Sequence, residues 1–238
     1  MRAILLGTAY QLFSFLRVKK AFFFAFVFPT FVYVLFSLIW GADNEDYSTF
    51  LLTGVLVLTT ASDAMFSIGG VVSGYYRSGL IMFFNVIPYS FAMHVAALLL
   101  SRVLIVAVSS IVVVVVAMLM SEVAWGASEV LSVCVGLAYC IYVYTFIALW
   151  VLQFWANESD NIGILNATLY GTIFLSNTIY PLSELNELLS PIVRINPITP
   201  ALELARGEQI SAGVAAWPPL LTIGCALTFK SKKQRVRR

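Results

Sequence analysis

One carboxylate stands apart from the other charges of this chain, because Asp63 lies about midway along an apolar run, residues 49–74. An ionised carboxylate in hydrocarbon is costly, so its side chain is expected to face a polar partner, a cavity or water. No Lys or Arg lies near the middle of another apolar run, so the sequence names no obvious basic partner for it. Two interpretations stay open: Asp63 lines a polar path, or it is a protonated or hydrogen-bonded packing residue.

The residue patterns that most enzymes need are missing from the sequence. It has no Gly-x-x-x-x-Gly-Lys-Ser/Thr phosphate loop, no paired His/Glu metal motif and no nucleophile with a plausible base. The single histidine, His94, is interpreted as an interfacial side chain. The three cysteines lie in apolar runs at spacings typical of packing residues: Cys134, Cys140 and Cys225. We expect a protein that is not an enzyme and binds no metal or cofactor itself.

Composition indicates an integral membrane protein with an all-α fold. Of 238 residues, 61% are hydrophobic and 11% are charged, whereas a soluble domain carries about a quarter charged residues. Six apolar runs can cross about 30 Å of hydrocarbon as helices; they are residues 21–40, 49–74, 103–120, 130–156, 162–181 and 212–229. We therefore predict a single transmembrane domain over residues 1–238. Pro29 is a candidate kink in the first helix, and Arg102 is predicted to mark where the third enters the lipid.

Two amphipathic segments are predicted on the cytoplasmic side. Residues 1–20 place Leu5, Ala9, Leu12, Phe13 and Leu16 on one face and end in basic residues, as expected of a helix on the membrane surface.

The second amphipathic segment, residues 76–87, has Leu80, Phe83, Phe84 and Ile87 at the spacing of one α-helical face. Pro88 is expected to end this helix. It either contacts a partner protein or lies in the lipid interface as a connector.

Residues 182–207 are predicted to form an outer helical hairpin that dips part-way into the membrane; an ordinary surface loop is the alternative. An apolar stripe that is expected to pack inward comprises Leu185, Leu188, Leu189 and Ile192. Thr199-Pro200 predicts a helix start and Gly207 a helix end. The preceding fifth run is the most polar, with Asn166, Tyr170 and Asn177 on one face.

The distribution of Lys and Arg predicts the orientation. With the N-terminus inside, only Arg194 and Arg206 of the 14 Lys and Arg residues lie on the outer side. Cytoplasmic segments of membrane proteins are enriched in Lys and Arg. Both chain ends are therefore predicted to be cytoplasmic.

Three stretches carry a resemblance to a known family. They are residues 74–88, the sequence Tyr-Pro-Leu-Ser-Glu-Leu from Tyr180, and Arg-Ile-Asn-Pro-Ile-Thr-Pro-Ala-Leu-Glu-Leu-Ala-Arg-Gly from Arg194. With the order of the apolar runs, the chain resembles the permease subunit of type-2 ABC exporters over almost its whole length. It departs from the family in having Ser78 after Arg77, where an acidic residue is usual, and in its short sixth run.

The resemblance implies a function and partners. The permease would move an amphipathic drug, peptide or lipid-like substrate out of a bacterial cell across the cell membrane. It would pair with a second permease copy, as a homodimer or heterodimer, and with two ATPase subunits that bind ATP and magnesium; no nucleic acid is implied. An ion-gradient-driven transporter that uses Asp63, or a non-transport assembly or immunity protein, is the alternative.

The resemblance also implies roles for individual residues. The segment after the second run would be a coupling helix that docks on the ATPase, with these candidates: Tyr76, Arg77, Ser78, Gly79, Leu80, Phe83 and Phe84. Candidates for the substrate path are Asp63, Asn166, Tyr170 and Asn177.

Overall fold

A computed structural model describes the chain except residues 1, 42–44, 87–89, 121–124, 155–157, 182–186, 209–210 and 237–238. Its first helices are α1 (Arg2–Arg17), α2 (Lys19–Gly41), α3 (Glu45–Asp63) and α4 (Val71–Arg77). A π-helical segment, Ala64–Gly70, joins α3 to α4 without a break. A 3₁₀ helix, Leu80–Asn85, follows α4.

The later helices are α5 (Phe91–Met120), α6 (Ala127–Phe154), α7 (Glu158–Phe174), α8 (Ser190–Ile195), α9 (Thr199–Arg206) and α10 (Ala212–Val236). No strand occurs among the described residues, which agrees with the predicted all-α class. Helix α3 lies in the centre of the bundle and packs against α5 and α6. Its fully buried apolar side chains are Leu51, Leu52, Val55, Val57 and Ala61.

Four helical stretches in the described chain are long and apolar enough to cross a membrane: Lys19–Gly41, Asp46–Tyr75, Phe91–Met120 and Ala127–Leu152. They overlap the first four predicted runs, although the third helix begins at Phe91, twelve residues before its predicted run. The other two runs correspond to the shorter apolar helices Ile162–Phe174 and Ala212–Ala226. The predicted fifth helix, residues 162–181, is too long, because the helix stops at Phe174 and residues 175–180 form turns.

Pro29 explains a contact between α2 and α5. A proline inside a helix cannot donate to the carbonyl four residues earlier, which here belongs to Ala25. The hydroxyl of Ser109 on α5 donates to that carbonyl instead. A π-helical segment, Phe23–Val27, surrounds the same carbonyl. The proline therefore produces a local change of helix type and a hydrogen bond between neighbouring helices.

Helix α10 shows the same repair. It contains Pro218 and Pro219, and the proline at 218 leaves the carbonyl of Val214 without its helical donor. The hydroxyl of Tyr139 on α6 donates to the carbonyls of Gly213 (3.2 Å) and Val214 (3.3 Å). This contact ties α10 to α6 near the start of α10.

Asn196 fixes the turn between α8 and α9 against the end of α7. Its amide nitrogen donates to the carbonyls of Thr172 (2.7 Å) and Leu175 (2.8 Å), which lie at the C-terminal end of α7. Its Oδ1 accepts from the backbone amide of Ile198 at 3.2 Å. The last carbonyls of any helix lack intrahelical donors. A single buried side chain thus satisfies the end of one helix and orients the next.

Arg206 anchors the end of α9 to the N-terminal half of α3. Its Nε donates to Thr53 Oγ1 (3.1 Å), and its Nη2 donates to the carbonyls of Phe50 (3.3 Å) and Asn177 (2.9 Å). The guanidinium carbon of Arg206 lies 3.7 Å from the centre of the Phe50 ring. Its Nη1 lies 4.0 Å from Oε1 of Glu208. Burial lowers the pKa of Arg206 to about 10, against the opposing effect of Glu208, so the side chain stays charged near neutral pH.

The apolar stripe of the outer hairpin does not pack inward as predicted. Leu188 is 83% exposed and Ile192 is 46% exposed, whereas Leu189 is half-buried; Leu185 lies outside the described residues. The inward contacts come from a different set of residues: Val193, Ile198, Ala201, Leu202 and Ala205. Gly207 ends α9 in the left-handed conformation, as the sequence predicts.

Helix α1 runs beside the lower part of α5. The Thr8 hydroxyl lies 3.4 Å from the carbonyl of Ala97 and Phe15 is buried. Other large side chains of α1 point away from the bundle: Leu5, Leu6, Tyr10, Phe13 and Leu16. The face predicted from the sequence thus includes part of the exposed side, while Thr8 and Phe15 make the contact with α5.

We predict that Asn196→Asp destabilises the protein more than Asn196→Ala does. Alanine removes two hydrogen bonds to carbonyls and should cost about 1–3 kcal/mol, the usual range for leaving a buried polar group unpaired. Aspartate adds a negative oxygen where two carbonyls need a donor, and should cost more. Thermal unfolding of the purified protein in detergent measures both effects. The matched control is Asn166→Asp on α7, and an equal loss there would show a general cost of a new carboxylate rather than a role for this cap.

Candidate functional site

The segment between α4 and α5, here called the coupling segment (Ser78–Val86), is held in a defined conformation. The Ser78 hydroxyl donates to the carbonyl of Gly74 at 2.8 Å, at the end of α4. Gly79 then adopts a left-handed conformation with φ of 72°, which allows the chain to leave the helix. The amide of Met82 donates to the Gly79 carbonyl at 2.9 Å, in the first turn of the 3₁₀ helix.

The 3₁₀ geometry selects which apolar side chains face outward. Such a helix has about three residues per turn, so side chains at i and i+3 eclipse. Leu80, Phe83 and Val86 follow this spacing and are 41%, 68% and 84% exposed. Neighbouring Met82 is 74% exposed. The prediction that Phe84 shares an α-helical face with Leu80 and Phe83 is therefore wrong, and Val86 belongs to the exposed apolar face instead.

Phe84 lies on the opposite side of the coupling segment from Phe83. Its ring is half-buried, with its centre 5.4 Å from that of Phe91 and 5.2 Å from that of His94. His94 Nε2 lies 3.2 Å from the Tyr75 hydroxyl, in hydrogen-bond contact. These four side chains form an aromatic cluster that connects the coupling segment to the end of α4 and the start of α5.

Several predicted docking residues have a described backbone only. Tyr76 and Arg77 complete α4, and their side chains lie outside the described part of the structure. Ile87 and Pro88, which were predicted to end the segment, also lie outside the described residues. The predicted docking residues whose side chains are described and exposed are Ser78, Leu80 and Phe83.

Asp63 has a basic partner that the sequence analysis did not find. Its Oδ1 lies 3.6 Å from Nη1 of Arg102 on α5, and both side chains are largely buried. The Arg102 guanidinium also lies 4.8 Å from the centre of the Phe15 ring on α1. The expectation that Asp63 lacks a basic partner is wrong, because α3 and α5 pack side by side.

Neighbouring basic residues show where the Asp63–Arg102 pair lies along the length of the bundle. Phe15, which contacts Arg102, is two residues before Arg17, and Lys19 and Lys20 follow at the start of α2. Basic residues at the start of an apolar helix typically lie at the membrane boundary. The pair therefore lies level with the basic residues that begin α2, rather than half-way along that helix.

The other predicted path residues do not gather around Asp63. Asn166 is half-buried and Tyr170 is 52% exposed, both on α7. Asn177 follows the end of α7, and its carbonyl accepts from Arg206. Asp63 contacts Arg102 instead. The structure therefore separates the four predicted residues: Asp63 joins α3 to α5, Asn166 and Tyr170 lie along α7, and Asn177 contacts Arg206.

A cavity of about 440 Å³ opens between the N-terminal half of α3, the start of α6 and the end of α9. Its charged and hydroxyl-bearing lining consists of Thr49, Thr53, Ser128, Glu129, Ser132, Arg206 and Glu208. Among the described residues, no group of three or more His, Cys, Asp and Glu side chains is placed to hold a metal ion.

A family model described as ABC-2 type transporter matches residues 2–210 of the chain. The match covers most of the 238 residues, so the chain belongs to this family and is the membrane subunit of an ABC-type transporter. Together with its apolar helices, this makes it a multi-pass membrane protein. No curated protein matches the chain.

We predict that Gly79→Ala distorts the coupling segment through its backbone alone. A Cβ at this position would meet no atom within 4 Å, so no clash contributes. A left-handed conformation costs a non-glycine residue about 1–2 kcal/mol. Hydrogen exchange of the Met82 amide should therefore become faster. The matched control is Gly74→Ala in α4, where an added Cβ also meets open space, and similar acceleration there would contradict a role for the left-handed turn.

Proposed function

We propose that this ABC-2 type transporter subunit belongs to an ATP-driven exporter and that its coupling segment docks on a separate ATPase. The observation that carries the proposal is the exposed apolar face formed by Leu80, Phe83 and Val86. Exposed apolar groups in one place commonly mark a contact surface. The left-handed turn at Gly79 and the aromatic cluster behind Phe84 hold this face in one orientation, which is favourable for docking.

We infer that six helices cross the membrane, with both chain ends in the cytoplasm. The four long stretches would cross in full, while α7 and the first part of α10 would complete the domain with the shorter apolar helices Ile162–Phe174 and Ala212–Ala226. The distribution of Lys and Arg supports this orientation. It puts the coupling segment in the cytosol and the hairpin of α8 and α9 on the outer side.

The complete transporter would contain two permease copies and two ATPase subunits, with ATP and magnesium bound by the ATPases. Substrate would pass between the permeases, and the exposed face of α7 at Tyr170 is a candidate wall of that path. The mainly apolar exposed surface of the helices favours an amphipathic drug, peptide or lipid over a sugar polymer.

In the alternative function, a transporter driven by an ion gradient, the Asp63 carboxylate would have to face the transport path. The contact of Asp63 with Arg102 at 3.6 Å gives that carboxylate a structural partner. This contact favours the ATP-driven function over the ion-gradient one, and we place Asp63 outside the substrate path.

We predict that Phe83→Ala weakens assembly with the ATPase by about 1–3 kcal/mol, the usual range for an aromatic anchor at an interface. Phe83 is 68% exposed, so its truncation should leave the fold of the isolated permease unchanged. The measurement is the affinity of the purified permease for its ATPase in lipid nanodiscs, with ATP hydrolysis as a second readout.

Phe84→Ala is the matched control for this experiment, because the neighbouring ring packs inside the protein. It should loosen the coupling segment, visible as faster hydrogen exchange, before it changes a direct contact with the ATPase. Wild-type affinity and ATP hydrolysis in Phe83→Ala would contradict docking at this face. Export by the purified permease alone, driven by an ion gradient, would contradict the ATP-driven function.

The orientation predicts a pattern of thiol labelling. In a variant whose native cysteines Cys134, Cys140 and Cys225 are replaced, Ser128→Cys and Ser190→Cys should react with a membrane-impermeant reagent in intact cells. Gln234→Cys should react only after permeabilisation. Protection of Ser190→Cys would mean that α7 does not cross, and outside labelling of Gln234→Cys would mean that α10 does not.

A further inference from the structure

The Asp63–Arg102 pair connects the two helices that flank the coupling segment. Asp63 is fourteen residues before Arg77 at the end of α4, and Arg102 is eleven residues after Phe91 at the start of α5. At about 1.5 Å per helical residue, both side chains lie about 20 Å along their helices from the coupling segment. The helical stretches that run from the coupling segment to Asp63 and to Arg102, here called the two legs, are therefore similar in length. The pair joins them at the ends that lie farthest from the coupling segment.

The pair is loosely made for a buried ion pair. Its atoms are 3.6 Å apart, whereas a charge-assisted hydrogen bond typically spans about 2.7–2.9 Å. Within the described residues, Asp63 Oδ2 and Arg102 Nε and Nη1 are buried without a hydrogen-bond partner. Buried ion pairs seldom add net stability compared with apolar packing. A contribution to stability alone therefore does not account for two charges at this place.

A change of helix type begins immediately below the pair. Asp63 is the last residue of α3, and the π-helical segment Ala64–Gly70 starts at the next residue. π turns are rare and occur frequently at functional sites. The segment also packs closely on α6, because a Cβ at Gly69 would lie 2.3 Å from Cβ of Ala148. One leg therefore has an irregular section that faces a neighbouring helix at close range.

Phe15 adds a third element to the junction. Its ring lies 4.8 Å from the Arg102 guanidinium and is buried between α1 and α5. The surface helix, the second membrane helix and the third are thus joined by three side chains.

We propose that Asp63 and Arg102 are positioning residues that transmit movement of the coupling segment to the membrane helices. When the ATPases displace the segment, the pair holds the two legs at the same relative height. The displacement then passes into the upper parts of α3 and α5. Without the pair, the π-helical segment absorbs the displacement by local bending. This role rests on the proposed function, since it needs an ATPase that moves the coupling segment.

The deciding variant is the double neutral one, Asp63→Asn with Arg102→Gln. A single neutral substitution would leave one buried charge unpaired and could prevent folding. The double variant leaves no unpaired charge, so it should assemble with the ATPase and hydrolyse ATP. The charge exchange, Asp63→Arg with Arg102→Asp, recreates a pair in the opposite direction and should restore transmission if pairing is what counts.

Movement is measured without a substrate. In the variant without native cysteines, a spin label at Ser128→Cys reports the distance between the two outer ends in the dimeric complex, by pulsed electron paramagnetic resonance. ATP with vanadate supplies the driven state, and nucleotide-free complex is the reference. In the double neutral variant, the ratio of complexes with the driven to those with the reference distance should fall about fivefold or more, the lower end of typical coupling between sites.

The matched control is Thr60→Val in α3, one turn before Asp63. Its hydroxyl donates to the carbonyl of Leu56 in its own helix, so its loss should leave the distance change intact. If the double neutral variant and the parent both show the full distance change, the positioning role is wrong. That result would leave the proposed function standing. No distance change in the parent complex, or no assembly of the parent with an ATPase, would overturn the proposed function and this role with it.

Discussion

A backbone carbonyl that loses its helical donor inside a membrane must find another donor, because no water is present there to supply one. Three contacts of this protein meet that requirement. Ser109 donates to the carbonyl freed by Pro29, and Tyr139 donates to a carbonyl freed by Pro218. Asn196 serves the last carbonyls of α7. Each donor comes from a different part of the chain, so each repair also fixes how two elements lie against one another.

Two of these repairs, made by Tyr139 and Asn196, lie close to the hairpin of α8 and α9. Asn196 orients the turn between α8 and α9, and Arg206 then connects the end of α9 to α3 and to residue Asn177. Every one of these contacts uses a buried or half-buried polar group with a hydrogen-bond partner. The coupling segment instead presents apolar side chains to its surroundings, including Phe83 and Val86.

The long membrane helices could be predicted because a run of about twenty apolar residues has few possible structures other than a membrane-spanning helix. The end of α7 could not, since it depends on Asn196, a residue more than twenty positions later. The coupling face was misassigned because a six-residue apolar stretch fits an α-helix and a 3₁₀ helix equally well, and only the second directs Phe84 inward. The prediction that the apolar stripe around Leu188 packs inward was wrong for another reason. An apolar face on a membrane protein can contact lipid as readily as protein.

Two arginines are both buried but differ in how fully their guanidinium groups are hydrogen-bonded. Arg206 has three hydrogen bonds and an aromatic ring against its guanidinium. Arg102 has one carboxylate at 3.6 Å, and two of its nitrogens are buried without a hydrogen-bond partner among the described residues. A fully bonded guanidinium resists displacement, because any movement breaks several bonds at once. Arg206 thus joins α9 to α3 through several hydrogen bonds, whereas Arg102 joins α5 to α3 through a single carboxylate contact. The connection between α3 and α5 at this level therefore depends on one pair of side chains, and a change of either residue alters it directly.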